Sequence, residues 1–379
     1  MPSQAAWVRS MTPLLPVCAD PARSATEDRE NTVSNNARKI FVLYHRGLRT
    51  GGPEALHQLV STLRELGQDA YLVPHYTTAT TARAAQYSIY DAPEADAIED
   101  VPGNIVVVPE TFIEDVFAFK HAKKMIWWLS IDNALTFMGE RLWQRSTGGL
   151  STKIRETWVP FLRMLKHGDT PFQMRQRRDI VHLVQSSYAW AFVASRLNTV
   201  PSLLSDFTPQ GEFGPADEAK RNPRLVTYNP AKGAHIIAAV KAVCEPDIEW
   251  LPIQGMTRSE VVSTLQTCGV YLDLGHHPGK DRMPREAALS GALALVARRG
   301  SGAYFADVPI PWEHKIMPDD NEVSSTAAAL PRLMANLTEE IHKQDAYRSA
   351  IKAERERFRK EVTDIFIENR LGKDAYDYL

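Results

Sequence analysis

The stretch 271–296 constrains the fold most strongly, because it reads as a strand, a loop, a helix and a second strand in immediate succession. An apolar run over 270–274 breaks at Gly275 into a loop rich in His, Pro and charge, and a helix is predicted from about Pro284. A second apolar run, 292–296, follows. Two strands joined through a helix pair in parallel, and ligands of parallel sheets bind beyond the carboxyl ends of the strands. The helix N-terminus beside this loop favours an anion, so the stretch predicts a phosphate and sugar site.

The same order of elements occurs near the start of the chain. A strand over 39–44 leads through a glycine pair to a helix with one apolar face, and another strand follows it. A linker rich in Pro and Gly covers 209–223, and a second series of strands and helices starts at Arg224. These two series predict an α/β protein with two Rossmann-like parallel-sheet domains.

The composition and the linker suggest the limits of these domains. We expect a mobile leader over 1–37, an N-terminal domain over 38–215 and a C-terminal domain over 222–350. A further strand is expected within 308–316, and one long charged helix is expected from Ile341 towards Arg370. The C-terminal helix over 351–379 can pack back on the N-terminal domain. The segment 137–178 mixes aromatic and basic residues without a strand pattern, and we interpret it as an insertion that faces the substrate or a partner.

Composition excludes several classes of protein. The 379 residues are 44% apolar and 24% charged, which suits two globular domains. A net charge of −2 argues against nucleic acid as a partner. The 3 cysteines share no metal-type spacing and fit a reducing compartment, and no apolar stretch has the length of a membrane span. These features predict a cytoplasmic protein; they leave peripheral membrane association open and do not determine the oligomeric state.

Two loops of the second domain supply the candidate phosphate ligands. Lys232 can reach a diphosphate from the loop after the first strand, and Gly233 lets the backbone come close. Lys280 and Arg282 can neutralise a departing diphosphate, and Glu286 can accept hydrogen bonds from ribose hydroxyls. The alternatives are an ordinary turn with a solvated lysine in the first loop and a solvated ion-pair cluster at a helix start in the second.

The first domain carries its own candidates. Gly51-Gly52 follows the first strand and permits close approach of a phosphate or sugar, although the full phosphate-loop pattern is absent. Glu110 and Asp132 follow apolar strands, where a carboxylate can orient an acceptor hydroxyl or take its proton. A helix cap is an equally good interpretation of Asp132.

We predict no metal and no cofactor. Adjacent residues rarely point at the same metal ion, so His276 and His277 are poor candidates for metal ligands. No carboxylate-His spacing supports them in that role.

Together these motifs resemble the GT-B glycosyltransferases, in particular the retaining type called group 1 or family 4. The similarity spans about 38–345 and rests on the Gly-Gly loop, the Lys-Gly loop and the loop from His277 to Glu286. The resemblance implies two domains facing each other across a cleft, with a nucleotide-sugar donor in the second, an acceptor in the first and no metal. It also implies donor-binding roles for His277, Gly279 and Asp281.

The chain departs from the family pattern at two points. The family has two glutamates eight residues apart; Glu286 matches the second, but Pro278 stands at the place of the first. The role of the missing glutamate can pass to Asp281 or to the backbone around Gly279. Arg258 and Arg282 compete for the position of the family's arginine.

The sequence therefore predicts a glycosyltransferase that moves a sugar from a nucleotide-diphosphate sugar to a hydroxyl of a glycan or glycolipid. Retention of configuration follows from the resemblance alone. One alternative is a transferase of the same fold that uses a CMP-activated sugar, with His277-Pro278 at the nucleotide. The other is a glycosyltransferase-like module that lacks chemistry and binds a glycan or acts as a scaffold.

Overall fold

The computed structural model describes residues 38–133, 177–211, 213–214 and 218–372. The expected leader and nearly all of the expected insertion lie outside these residues. The chain forms two compact units, unit 1 with Met1–Ile126 and Arg178–Val181, and unit 2 with Trp127–Arg177 and His182–Leu379. The domain limits expected from the sequence stay a prediction.

The first sheet has six strands in the order β2-β1-β3-β4-β5-β6. Its strands are β1 (Lys39–Tyr44), β2 (Asp69–Pro74), β3 (Ile105–Pro109), β4 (Lys123–Trp128), β5 (Ile180–Val184) and β6 (Ser202–Leu203). The α-helices described in this part of the chain are α1 (Gly51–Glu65) and α2 (Ser187–Leu197). β1 pairs in parallel with both β2 and β3, as the strand–helix–strand pattern predicted.

The second sheet has five strands in the order β11-β10-β9-β7-β8, and all four neighbouring pairs are parallel. Its strands are β7 (Asn222–Tyr228), β8 (Glu249–Pro252), β9 (Cys268–Asp273), β10 (Leu293–Ala297) and β11 (Lys315–Ile316). Its helices are α3 (Ala234–Val243), α4 (Arg258–Thr267), α5 (Arg282–Leu289), α6 (Glu322–Ala335), α7 (Leu337–His342), α8 (Asp345–Lys352) and α9 (Glu354–Val362).

Apolar side chains cover both faces of the second sheet, which explains why its strands read as continuous apolar runs. On β9, Val270 and Leu272 face a core with α3 and α6, whereas Tyr271 faces a core with α5 and α8. This alternation is the period-2 pattern of a strand. The predicted two-sheet α/β architecture is confirmed.

Two sequence predictions differ from the structure in their bounds, and a third is wrong. The helix expected from about Pro284 begins at Arg282, and the strand expected within 308–316 is only Lys315–Ile316. The single long helix expected after residue 341 is instead a series of short helices that ends in a π-helical turn, Thr363–Ile367.

Packing explains the break between α7 and α8. The break buries Gln344, whose amide accepts a hydrogen bond from the N–H of Ala294 (3.1 Å) and donates one to its carbonyl (2.7 Å). A continuous helix with a surface glutamine would leave both backbone groups to find other partners. Across the described ranges, none of the helices combines the length and apolar character needed to cross a bilayer.

Candidate functional site

The strand order of the second sheet locates a crevice for a ligand. The chain leaves β7 for β8 on one side and β9 for β10 on the other, so the order reverses between the neighbours β7 and β9. Ligands of open α/β sheets bind outside the carboxyl ends of the strands at such a switch point. The loop 229–233 after β7 and the loop 274–281 after β9 flank it, and they lead to the N-termini of α3 and α5. Both sequence-predicted loops therefore lie at one place.

Glycines let these two loops touch through their backbones. Gly233 has φ +64°, and a Cβ there would lie 3.1 Å from the amide nitrogen of Gly275. A Cβ on Gly275 would lie 2.5 Å from the Cβ of Lys232. Neither position has room for a side chain, so the loop that carries Lys232 is held against the loop that follows β9.

Lys232 has a partner within the protein. Its ammonium forms an ion pair with Oδ2 of Asp281, the residue just before α5. The structure thus brings together the lysine and the aspartate predicted for the donor site, but it neutralises one with the other. An anionic ligand that binds Lys232 meets an ammonium that is already paired with Asp281.

His277 is fully buried between two carboxylates. Its Nδ1 lies 3.1 Å from Oδ2 of Asp281, and its Nε2 lies 3.6 Å from Oδ1 of Asp273. The hydroxyl of Tyr271 and the N–H of Gly275 donate to Asp273 and fix its position. The predicted ligand residue His277 is thus buried beside Asp281, and neither of its ring nitrogens has a hydrogen-bond partner among the described residues.

The same side chains form one of the two clusters of possible metal ligands among the described residues, the other being Glu313, His314 and Glu340. The ligand atoms of Asp273, His277 and Asp281 all lie within 4.8 Å of one another, which is close enough to hold an ion. The ammonium of Lys232 already lies on Asp281 and supplies a positive charge there. That no metal takes part stays a prediction.

Glu286 lies in the first turns of α5 and is buried, with 2% of its surface exposed. Its Oε1 accepts from Nη1 of Arg258, the first residue of α4, at 3.0 Å. The guanidinium of Arg258 stacks on the ring of Phe213, 4.4 Å from its centroid. Of the two arginines that compete for the family position, Arg258 is thus the one that contacts Glu286.

Lys280 points to the C-terminal part of the chain. Its ammonium lies 3.0 Å from Oε1 of Glu354 on α9, and Nη1 of Arg285 contacts the other oxygen of this carboxylate at 3.0 Å. Arg285 also pairs with Asp206 at 2.8 Å. Burial opposes ionisation, but Arg285 and Lys280 outweigh it and lower the pKa of Glu354 to about 2. Lys280 therefore anchors the loop in a buried charge cluster, and Arg282 follows as the first residue of α5.

A third loop, which the sequence reasoning missed, closes over the loop after β9. The N–H of Ser301 donates to the carbonyl of His277 (2.9 Å) and its hydroxyl donates to that of Gly279 (2.5 Å). A Cβ on Gly300 would collide with the carbonyl of His277, and one on Gly279 would collide with the carbonyl of Leu129. The available signal was the Gly-Ser-Gly sequence just after the apolar run 292–296, at the same edge of the sheet.

Asp132 lies in unit 2, as the second sheet does, and contacts His276. Its Oδ2 is hydrogen-bonded to Nε2 of His276, and its Oδ1 accepts from the hydroxyl of Tyr188 at 3.2 Å. Asp132 is buried, whereas the side chain of His276 is 33% exposed. A carboxylate that orients a partly exposed imidazole is the arrangement of a proton-transfer pair. His276 was considered from the sequence only as a metal ligand.

Unit 1 holds the remaining predicted residues at the carboxyl edge of its strands. Gly51 and Gly52 are the first residues of α1, and Glu110 begins a 3-10 segment directly after β3 and is buried. His45 follows β1 and packs on the ring of Phe112, with the centroids 4.1 Å apart. Burial, and secondarily the neighbouring His75, lowers the pKa of His45, so its imidazole is neutral near neutral pH.

Comparison with known proteins identifies the fold. No protein-family model matches the chain, and no curated protein sequence matches it. Several solved structures match the chain. The sucrose-phosphate synthase of Thermosynechococcus elongatus aligns with a TM-score of 0.60 and 11% identity over 88% of this chain and 99% of its own. Anabaena Alr3699/HepE in complex with UDP-glucose aligns with a TM-score of 0.58 and 11% identity over 87% and 99%.

A glycosyltransferase from Rickettsia africae gives a TM-score of 0.54 at 10% identity, over 88% of this chain and 99% of its own. These alignments extend over both sheets, and the resemblance inferred from the loops is thereby confirmed for the architecture. The chain has the GT-B fold, built from two Rossmann-like parallel sheets.

Proposed function

We propose that the protein is a glycosyltransferase that moves a sugar from a nucleotide-diphosphate sugar to a hydroxyl of a glycan or glycolipid. One observation carries the proposal: the loops at the switch point of the second sheet bring Lys232 and the N-terminus of α3 next to the loop that starts α5. The fold supports it, since the Anabaena protein that shares it was solved with UDP-glucose.

In this proposal the departing diphosphate is stabilised by fixed positive charge. The N-termini of α3 and α5 offer N–H groups and partial positive charge, and Lys232 adds a full charge. The diphosphate replaces Asp281 as the partner of Lys232, while His277 remains beside Asp281. Lys280 acts through the position of the loop, because Glu354 already holds its ammonium. Arg282 is the second cation that we assign to the diphosphate.

Glu286 and Asp132 take the two remaining roles. Arg258 fixes the carboxylate of Glu286, which accepts hydrogen bonds from the ribose hydroxyls. Asp132 orients His276, and the exposed part of that ring binds the acceptor hydroxyl and handles its proton. Glu110, in unit 1, keeps its proposed role as a second carboxylate for the acceptor.

The first experiment identifies the nucleotide. The melting temperature of the protein is measured with UDP, GDP, dTDP and CMP at equal concentration, because a ligand that binds only the folded state raises it. We expect one nucleoside diphosphate to give the largest shift, and Glu286→Gln to reduce that shift. A shift with CMP alone would support the CMP-sugar alternative.

The second experiment tests the chemistry. Donor sugars of the selected nucleotide are incubated with the protein, and release of the nucleotide is followed with and without candidate glycan acceptors. Nucleotide release that depends on Lys232 supports a transferase. A protein that binds glycans but neither binds nucleotides nor releases them would be a binding module, and the proposal would be wrong.

We also propose that the sugar keeps its anomeric configuration and that no metal takes part. Both points rest on the resemblance alone. NMR of the product reports the anomeric configuration, and an unchanged rate after treatment with EDTA would support metal independence. A rate that falls with EDTA and recovers with Mn²⁺ would instead show that a metal takes part, with Asp273, His277 and Asp281 as the candidate ligands nearest to the donor loops.

A further inference from the structure

The amino edge of the second sheet, opposite the switch-point loops, borders a cavity of about 560 Å³. Its wall includes Pro223 at the start of β7, Leu289 at the end of α5 and the turn at Gly291. Small-molecule sites in proteins have volumes of about 300–1,000 Å³. The cavity is therefore large enough for an organic ligand, and it lies away from the loops assigned to the donor.

Three cationic side chains line this cavity: Arg221, Arg348 and Lys352. Nη1 of Arg221 donates to the carbonyl of Cys268 at 3.0 Å, which holds the guanidinium in place. A Cβ on Gly291 would lie 2.6 Å from Nη2 of Arg221, so the glycine leaves room for this group. The arginine is thus built into the wall by the residues around it.

Two acidic residues line the wall beside these three cations. Glu218 is exposed. Asp345 is shared between Nη2 of Arg348, at 2.6 Å, and Nδ1 of His342, at 3.2 Å. Nη1 of Arg348 is buried and has no hydrogen-bond partner within the described part of the chain. Burial is the main cause that lowers the pKa of Arg221, and the positive charge of Arg348 lowers it further. An anion between the two guanidinium groups would relieve this repulsion.

The rest of the wall is apolar. Leu289, Met334, Leu337 and Ile341 provide hydrocarbon surface beside the cations. An inorganic ion would leave this surface in contact with water, whereas a ligand with an apolar body would cover it. Guanidinium groups bind phosphate and carboxylate through paired hydrogen bonds.

We infer that this cavity binds a small organic anion, with a phosphate or carboxylate group at Arg221 and Arg348 and an apolar body against Leu337 and Ile341. The inference is independent of the proposed transferase activity. The helix α5 starts beside the donor loop and ends at the cavity wall, so the ligand would occupy a site distinct from that of the nucleotide.

Binding of phenyl phosphate, benzoate and inorganic phosphate to the full chain tests the inference, with titrations by calorimetry at constant ionic strength. We expect saturable binding of phenyl phosphate or benzoate, and the stronger of the two identifies the anionic group. Arg221→Gln should weaken binding about tenfold, as expected for the loss of one charge-assisted hydrogen bond. Lys352→Gln should weaken it about threefold, since Lys352 is exposed and contributes mainly charge.

Arg332→Gln is the matched control, because this exposed arginine of α6 changes the net charge equally but does not line the cavity. It should bind as the parent does. If Arg221→Gln fails to fold, Lys352→Gln decides, since an exposed lysine can be replaced with little effect on stability. Three results would overturn the inference: no saturable binding of either organic anion, equal affinity for phenyl phosphate and inorganic phosphate, or displacement of the anion by UDP.

Discussion

The two edges of the second sheet differ in how they balance charge. At the carboxyl edge, three cations each lie against a carboxylate, in the pairs Lys232–Asp281, Arg258–Glu286 and Lys280–Glu354. At the amino edge, Arg221 and Arg348 share a cavity whose acids are exposed or divided between partners. An anion that reaches the carboxyl edge competes with the carboxylate already paired with each cation. At the amino edge, Arg221 has no ion pair within the described residues, and Arg348 pairs with Asp345, which is 63% exposed. The presence of cations alone therefore does not determine how strongly a site binds an anion.

The largest effect should come from removing a buried carboxylate at the carboxyl edge. Glu354→Ala leaves Lys280 and Arg285 without their shared partner in the protein interior, which should lower the free energy of unfolding by about 3–5 kcal/mol. Urea denaturation measures the change. Asp345→Asn is the counterpart at the amino edge, and it should cost no more than about 0.5 kcal/mol because Asp345 is 63% exposed. Equal losses in the two variants would remove the contrast between the edges.

The second effect concerns catalysis. Lys232→Gln should reduce kcat/KM for the donor about 100-fold, because its charge is needed most when the diphosphate departs. The control Lys241→Gln, further along α3 and exposed, should keep the activity of the parent. Steady-state kinetics with the donor identified by thermal shift gives both values. A Lys232→Gln variant with parental kcat/KM would show that the proposed anion exchange does not occur.

The third effect is a pH dependence within α9. Burial raises the pKa of Glu361 from 4.5 to about 6, against the hydrogen bonds from Ser205 that lower it, whereas Glu354 has its pKa lowered by neighbouring cations. Because the folded pKa of Glu361 is raised, its contribution to stability is complete below about pH 4.5 and is lost as the pH rises through about 6. The loss should be about 2 kcal/mol by neutral pH.

Glu361→Gln keeps an acceptor for Ser205 and cannot ionise, so it should remove this slope. Urea denaturation of the parent and the variant at about pH 5 and about pH 7.5 measures it. The contribution of Glu354 has the opposite sign and is lost only as the pH falls from about 4.5 to about 2. An equal pH slope in parent and Glu361→Gln would contradict the assignment.

The smallest effect tests the proposed exchange of Asp281 for the diphosphate as the partner of Lys232. Asp281→Asn removes the anion that competes for Lys232, so UDP should bind about threefold more tightly. Calorimetric titration with UDP measures the change, and Asp345→Asn at the other edge should leave this affinity unaltered. Weaker binding to Asp281→Asn would mean that Asp281 positions Lys232 for the ligand rather than competing with it.

The architecture could be predicted from the sequence because the parallel strands are buried on both faces. A buried strand must be apolar over its whole length, so β9 and β10 appear as short apolar runs separated by a loop and a helix. The glycine positions 233 and 279 also carried information, since both lie where two backbones come too close for a side chain. These features are local, and local patterns are visible in one sequence.

The partners of the site residues could not be predicted in this way. The sequence places Lys280 in a charged loop, but its carboxylate, Glu354, comes from a distant helix that brings no recognisable spacing. The pairing of His276 with Asp132 likewise joins distant parts of the chain. The prediction of one long C-terminal helix was wrong, because helix propensity is a local property. It does not show that the burial of Gln344 and Glu354 stabilises breaks between shorter helices.

The contact of Gln344 with Ala294 also bears on self-association. β11 pairs only with Val296 and Ala297, so it leaves the earlier part of β10 without a neighbouring strand on that side. The amide of Gln344 bonds the N–H and the carbonyl of Ala294 as a residue of such a strand would. An open strand edge is a template for pairing with another chain. One buried glutamine thus satisfies the backbone of β10 at the residue where a further strand would otherwise pair.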